Sequence, residues 1–293
     1  HVVACWRLLI FRNQRMALVC LVTITLRGGQ EFGSNLFNNV KVAYDASAET
    51  KAWTYSPLKY WPTDGHVDFL AYAPRVDNKQ LKGSSIDFTV ESDAANQKDL
   101  LWANATSQTK ANKTVTFNFK HALAKIGYKV QLNGDYTGTT IKLNKITLAG
   151  SNDGKGTNKA FYKTGTIDLS YTSTTSSTTK LWTPSEEKQD FEWFSGDEQL
   201  SKTPAVENPT TKYLFVIPQN FKTGTDQLYV IVEYTITYSD NTTVKTKVCK
   251  QLEKEFLQGK AYTINLTIGL TPIEFNATVD GWGDIEDYPI TLE

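Results

Sequence analysis

From Val40 onward apolar and polar residues alternate with period two, and helical spacing is scarce. Val40, Val42 and Tyr44 alternate, then Ile86, Phe88 and Val90, then Val115, Phe117 and Phe119, then Ile126, Tyr128, Val130 and Leu132. The longest run is Leu228–Tyr238, with Leu228, Val230, Val232, Tyr234, Ile236 and Tyr238 on one face and Glu233, Thr235 and Thr237 on the other. One apolar and one wetted face is the pattern of an antiparallel sheet. Tyr262, Ile264, Leu266, Ile268 and Leu270 alternate again, followed by Phe275, Ala277 and Val279, and Tyr288, Ile290 and Leu292 form the last run. Ile141 and Leu143 are out of phase with Ile146 and Leu148, which predicts a bulge near Asn144. Asn133-Gly134-Asp135, Ser151-Asn152-Asp153-Gly154 and Ser239-Asp240-Asn241 are turn signals. Leu252 and Phe256, four apart, allow one or two helical turns. Many strands, short turns and no alternation of strand with helix predict an all-β protein of antiparallel sandwiches.

The polar stretch Asn104–Lys113 marks a boundary between domains at 33–110 and 111–293, after a separate segment at 1–32. Tyr171–Lys180, almost all Ser and Thr, reads as an exposed loop or edge hairpin inside the second domain. Residues 1–27 are strongly apolar and free of acids, but Arg7, Arg12 and Arg15 interrupt them, so a membrane-spanning helix of ~20 uncharged residues is not supported. From Asn13 the segment has the form of a signal peptide, with Arg15 as its charged end and Met16–Leu26 as its apolar run, but no small-x-small cleavage site follows. Cys20, after Ala17-Leu18-Val19, is a poor lipid acceptor, and Val2-Val3-Ala4-Cys5 is closer to one. Residues 18–26 read equally well as a buried strand rich in β-branched residues. A processed leader, a strand and an artefact of gene assignment therefore all stand open for residues 1–32.

Of the 293 residues, 40% are hydrophobic and 21% charged, which suits a packed globular chain. Thirty-one basic residues balance thirty-one acidic ones, so nothing in the bulk charge suits nucleic acid. Three His and one Met leave little for a His-rich metal site, and Cys5, Cys20 and Cys249 fit neither a disulfide framework nor a zinc spacing. Cys249, inside the alternating stretch Thr243–Lys250, is expected to be a small buried residue. His66 follows Asp64-Gly65 and reads as a solvated turn residue, while His121 reads as a structural histidine at a strand end. No GxSxG, HExxH or phosphate-binding glycine loop occurs. Ser151–Gly156 lacks the alternating acids of a calcium loop and is expected to be a turn, and the acids Asp280, Asp284, Glu286 and Asp287 read as a solvated loop. The expectation is a non-enzyme with no catalytic residue, metal or cofactor.

Aromatics are the remaining chemistry. Trp53, Tyr55, Tyr60, Trp61 and Tyr72 crowd one region, and Trp182, Phe191, Trp193 and Phe194 another. They either pack the cores or offer platforms on which sugars stack, which makes Trp61, Trp182 and Trp193 the candidate ligand-binding residues.

Several segments resemble, in order, the fimbrillin family of Bacteroidales surface proteins. They are Asn38–Asp45, Trp53–Pro57, Tyr60-Trp61-Pro62, Val67–Pro74 and Asp99–Ala103, then Phe117–Ile126 with its F-x-H-x-L-a-K-I form, Gly259–Ile268 and Val279–Trp282. The resemblance spans roughly residues 37–283. It implies two transthyretin-like β-sandwich domains, an exported lipoprotein precursor lipid-anchored at the outer membrane, and a fimbrial subunit or surface adhesin whose partners are other fimbrial subunits. In polymerising members an Arg-specific protease removes the leader with the first strand, and the open groove accepts a donor strand from the next subunit. Arg27, after the apolar run and before Gly28-Gly29, is the candidate processing site. Tyr288, Ile290 and Leu292 are the candidate donor side chains, unless Asp287–Leu292 is simply the last strand of its own sandwich. The segment before Asn38 is shorter than the family's, and 33–110 is small for a full sandwich, so a truncated first domain is expected. The rival expectation is a surface module that binds carbohydrate or a host ligand and does not polymerise.

Overall fold

The structure, a computed structural model, describes residues 17–25, 36–45, 52–76, 83–112, 114–172, 181–209, 212–270, 274–280 and 289–291. The chain divides into two units. The first comprises His1–Asp87, Lys98–Ala122 and Thr166–Thr183, and the second Phe88–Gln97, Leu123–Gly165 and Pro184–Glu293. The division differs from a single cut after residue 110, because the chain returns to the first unit at Thr166. A composition shift marks one polar stretch and is blind to such a return.

The strands of the first part of the chain are β1 (Ala17–Thr25), β2 (Phe37–Asp45), β3 (Ala52–Tyr55), β4 (His66–Ala73), β5 (Ser85–Thr89), β6 (Leu101–Gln108) and β7 (Lys120–His121). Six of them form an antiparallel sheet in the order β3-β2-β1-β4-β6-β7. In β4 every residue from Phe69 to Ala73 is buried, so both faces of the sheet are covered there. One face carries a core of Phe37, Val42, Trp53, Val67, Phe69, Ala71 and Ala103, closed by Val115 and Phe117 from an extended segment and by Trp61. The rings meet edge-on: Trp61 and Phe69 are 5.6 Å apart, Phe69 and Phe117 6.3 Å. The returning segment meets the first unit at Asn104, whose amide donates to the carbonyls of Leu169 (2.9 Å) and Tyr171 (2.8 Å). Tyr171 also lies 6.1 Å from Trp102.

The later strands are β8 (Ala124–Leu132), β9 (Thr139–Ala149), β10 (Phe161–Tyr162), β11 (Thr164–Asp168), β12 (Trp182–Pro184), β13 (Lys188–Gln189), β14 (Phe191–Gln199), β15 (Val206–Glu207) and β16 (Leu214–Val216). They continue with β17 (Gln219–Asn220), β18 (Tyr229–Tyr238), β19 (Thr243–Gln251), β20 (Glu255–Phe256), β21 (Ala261–Ile268), β22 (Glu274–Asp280) and β23 (Pro289–Thr291). The second unit is a sandwich. One sheet runs β14-β9-β18-β19; the other runs β15-β8-β21-β22-β23, with β16 also on β8. Its core follows the alternation: Ile126, Tyr128 and Val130 of β8, Tyr262, Ile264, Leu266 and Ile268 of β21, and Val230, Val232, Tyr234 and Ile236 of β18 are all buried. Tyr128 of one sheet meets Trp193 of the other at 4.8 Å with the rings perpendicular. The small pairings β12-β11-β5, β10-β13 and β17-β20 complete the topology.

The bulge is where the phase change places it. Glu233 pairs with Lys145 and Tyr234 with Leu143, which leaves Asn144 as the extra residue of β9. Its amide donates to Asp197 (2.6 Å) and its carbonyl accepts from Thr235 (2.7 Å).

Three expectations are corrected. Leu252 and Phe256 are buried in an extended segment entering β20, not in a helix. The sandwich is not wholly antiparallel, because β8 and β21 pair in parallel over eight positions; period-two alternation is the same for either direction. Cys249 is exposed. It stands opposite Ile231, which is buried and lies against the Gly154 turn, whereas β19 is the outermost strand of its sheet. Lys245, Lys247 and Lys250 on this edge strand disfavour pairing with a further chain.

Candidate functional site

β1, which falls inside the segment 1–32, lies in the middle of its sheet between β2 and β4. It pairs with β4 over seven uninterrupted positions, from Val19 opposite Tyr72 to Thr25 opposite His66. Its pairing with β2 covers five positions and breaks between Cys20 and Val22, where Asn38 and Asn39 of β2 face the single residue Leu21. Asn39 takes a positive φ of 51°, a conformation Asn tolerates better than most residues. A β-branched run such as Val19–Ile24 suits an interior strand with neighbours on both sides.

Beside this strand sits a polar cluster. Tyr72 donates its hydroxyl to the Asn39 side-chain carbonyl at 2.8 Å, the Asn39 amide donates to the Val76 carbonyl at 3.1 Å, and Arg75 Nε donates to the Asn39 backbone carbonyl at 3.4 Å. Burial raises the Tyr72 pKa, an effect opposed by a backbone hydrogen bond at Val76 and by the Arg75 charge, so the phenol keeps its proton at neutral pH.

Among the residues singled out from the sequence, Arg27 lies outside the described residues, two positions beyond the end of β1. Cys5, Tyr288, Leu292 and the acids Asp284, Glu286 and Asp287 also lie outside them. Ile290 stands opposite Ala277 in β23, which pairs with β22 over only three positions at the margin of its sheet. Trp182 and Trp193 are each 3% exposed, and their indole N–H groups donate to the carbonyls of Ala122 (2.7 Å) and Lys212 (3.0 Å). Trp61 is half-buried against the first core, and its neighbour Tyr60 is 67% exposed. Trp61 and Trp182 belong to the first unit and Trp193 to the second.

His66 opens β4, half-exposed, 3.8 Å from Asp68. His121 closes β7 with Nδ1 2.5 Å from Asp99. The Ser151–Gly156 turn is built around Asp153, which accepts from Ser151, Lys155 and Gly156; these bonds pull its pKa below the usual carboxylate value, the Lys155 N–H most of all. Among the described residues no three His, Cys, Asp or Glu side chains gather as metal ligands, and no helix is long and apolar enough to cross a membrane. Sequence reasoning missed Asn39 and its partners; the Asn38-Asn39 pair, which interrupts the alternation between Phe37 and Val40, was the available signal.

The described residues thus form one sheet with β1 in its interior and, in the second unit, a two-sheet sandwich. A profile of the Fimbrillin-like family matches residues 19–282, and the chain belongs to that family. A search of curated proteins found no match. Among solved structures, a proposed cell adhesion protein from Bacteroides ovatus is 13% identical, with 94% of this chain and 90% of that one covered and a TM-score of 0.50. A proposed cell adhesion protein from Bacteroides uniformis is 18% identical, covering 91% of each chain with a TM-score of 0.48. The tip fimbrial protein Mfa3 from Porphyromonas gingivalis is 9% identical, covering 92% of this chain and 95% of that one with a TM-score of 0.45. At 13% identity the likeness to the Bacteroides ovatus protein concerns the fold alone, and the family membership rests on the profile.

Proposed function

We propose that this fimbrillin-like protein is an exported fimbrial subunit or fimbrial adhesin that assembles by strand exchange in its first unit. Cleavage after Arg27 frees β1, and a strand from a neighbouring subunit takes its place between β2 and β4. The observation that carries this reading is the position of β1: an interior strand, paired on both sides, that ends two residues before an arginine. Losing it would expose two rows of main-chain donors and acceptors together with the apolar positions around Val42, Val67, Phe69 and Ala71. The donor is the C-terminal segment with Tyr288, Ile290 and Leu292, since β23 pairs with β22 over only three positions at the margin of its sheet. Before that cleavage, attachment of the precursor to the outer membrane would run through a lipid on Cys5, which leaves with the released segment.

Limited trypsin digestion, read on an unboiled SDS gel with N-terminal sequencing, tests this. The expected result is a ladder of SDS-resistant multimers appearing with a new terminus at Gly28, and its loss on deleting residues 287–293. Polymer that survives the deletion overturns the assignment of the donor, and a cut chain that stays monomeric overturns polymerisation. A glycan-binding reading is favoured by one observation, the 67% exposure of Tyr60 beside Trp61. Glycan-array binding lost in Tyr60→Ala at unchanged stability supports it, and an array blank for the native protein removes it.

A further inference from the structure

Resting on that reading, we infer that Asn39, Tyr72 and Arg75 form a tie that holds β2 and β4 at a fixed two-strand spacing across β1. The slot then keeps its shape while the strand inside it is exchanged. β2 and β4 are not neighbours; β1 lies between them, so their backbones stand about 9.5 Å apart. Strand pairing alone couples them only through β1 and would be lost with it. Two direct links bridge the gap instead. On the core face the rings of Phe37 and Phe69, both opposite Val22, are 6.1 Å apart. Away from it, the Tyr72 hydroxyl reaches Asn39 at 2.8 Å, and the chain just after β4 returns to the same residue through Arg75 Nε (3.4 Å) and the Val76 carbonyl (3.1 Å).

Asn39 thus uses its backbone carbonyl and both ends of its side chain on β4 and its extension. It does so from the bulge facing Leu21, the one place where β2 does not pair regularly with β1. A bulge at that point turns the Asn39 side chain and carbonyl toward β4 without breaking the rest of the β2 ladder. Tyr72 is 1% exposed and its bond to Asn39 is partly buried, so leaving the hydroxyl without this partner carries a cost. The arrangement is a frame whose two side rails are joined to each other as well as to the strand they enclose. A frame of this kind lowers the ordering cost of accepting a new strand, because its walls need not find their spacing again.

Two variants separate the tie from general stability. Asn39→Gly deletes the side-chain bonds while keeping the positive φ allowed, and Tyr72→Phe deletes one hydroxyl while keeping the ring. In the intact protein, hydrogen exchange followed by mass spectrometry is expected to show β1 and β2 amides exchanging about 5- to 10-fold faster in either variant, with β18 unchanged. Exchange in β1 and β2 equal to the native protein overturns the tie. In protein cut after Arg27 and stripped of β1, a synthetic peptide of residues 16–27 is expected to bind about tenfold more weakly to the variants than to the native slot. Equal binding overturns the proposal. If the native cut chain takes up no peptide at all, strand exchange itself fails, and the exchange rates of the intact chain still decide whether the tie exists.

Discussion

Trp193→Ala measures directly whether the tryptophans of the second unit hold the core or serve a ligand. The indole is 3% exposed, stands perpendicular to Tyr128 at 4.8 Å, and donates its N–H to the Lys212 carbonyl at 3.0 Å. Truncating a buried tryptophan costs about 3–5 kcal/mol in lost transfer and cavity terms. The orphaned Lys212 carbonyl adds about 1 kcal/mol, since it loses its donor without gaining full access to water. A loss of about 4.5 kcal/mol, set against a urea dependence of about 3 kcal/mol per molar, moves the unfolding midpoint down by roughly 1.5 M. Trp193→Phe keeps most of the ring and loses chiefly the N–H, so its cost is about 1–2 kcal/mol. Urea titrations followed by far-ultraviolet circular dichroism give both numbers. A midpoint within 0.2 M, or roughly 0.6 kcal/mol, of native for Trp193→Ala would refute the packing argument.

Asn144→Ala removes the two bonds that seat the bulge and should cost about 1 kcal/mol in the same titration; an unchanged midpoint would mean the bulge holds without its side chain. Gly150→Ala should destabilise by about 2 kcal/mol, because the added Cβ would lie 2.6 Å from the Lys159 carbonyl carbon and 2.7 Å from the Asn158 oxygen, both backbone atoms; a melting temperature equal to native would show that the loop shifts freely. Asp153 has a folded pKa below its ordinary 3.8, so its contribution to the Ser151–Gly156 turn is complete above that value and is lost as pH falls through the lower, folded one. An NMR titration should find that lowered pKa, and a value at or above 3.8 contradicts the hydrogen-bonded turn.

Alternation was enough to find the second unit's core. Leu228–Ile236 and Ile126–Leu132 bury the residues their period assigns to one face, and the phase break at Asn144 located the bulge to the residue. Alternation carries no direction, so the parallel union of β8 with β21 was invisible, and it carries no cover, so Cys249 on an outermost strand read like its buried neighbours. A strand was one of three readings open for 18–26, and its place between β2 and β4 depends on partners far along the chain. The Asn39 cluster was hidden for the same reason. Its members Asn39 and Tyr72 are 33 residues apart, and nothing local in either stretch announces the other.

The return of Thr166–Thr183 to the first unit has a consequence for how the chain comes into being. As residues emerge one after another, the first unit still awaits this segment after Leu123–Gly165 of the second has already appeared. The second unit in turn waits for β21, which pairs with β8 more than a hundred residues upstream. Neither unit can finish early and leave the other to follow, so the usual order of synthesis, in which an N-terminal domain closes first, is unavailable here. Closure of such distant pairs is slow. A long interval before either core closes leaves the nascent chain extended, the condition in which a polypeptide can be threaded through a narrow pore. No single cut will yield two autonomous halves. A truncation meant to isolate either unit must instead splice discontinuous pieces.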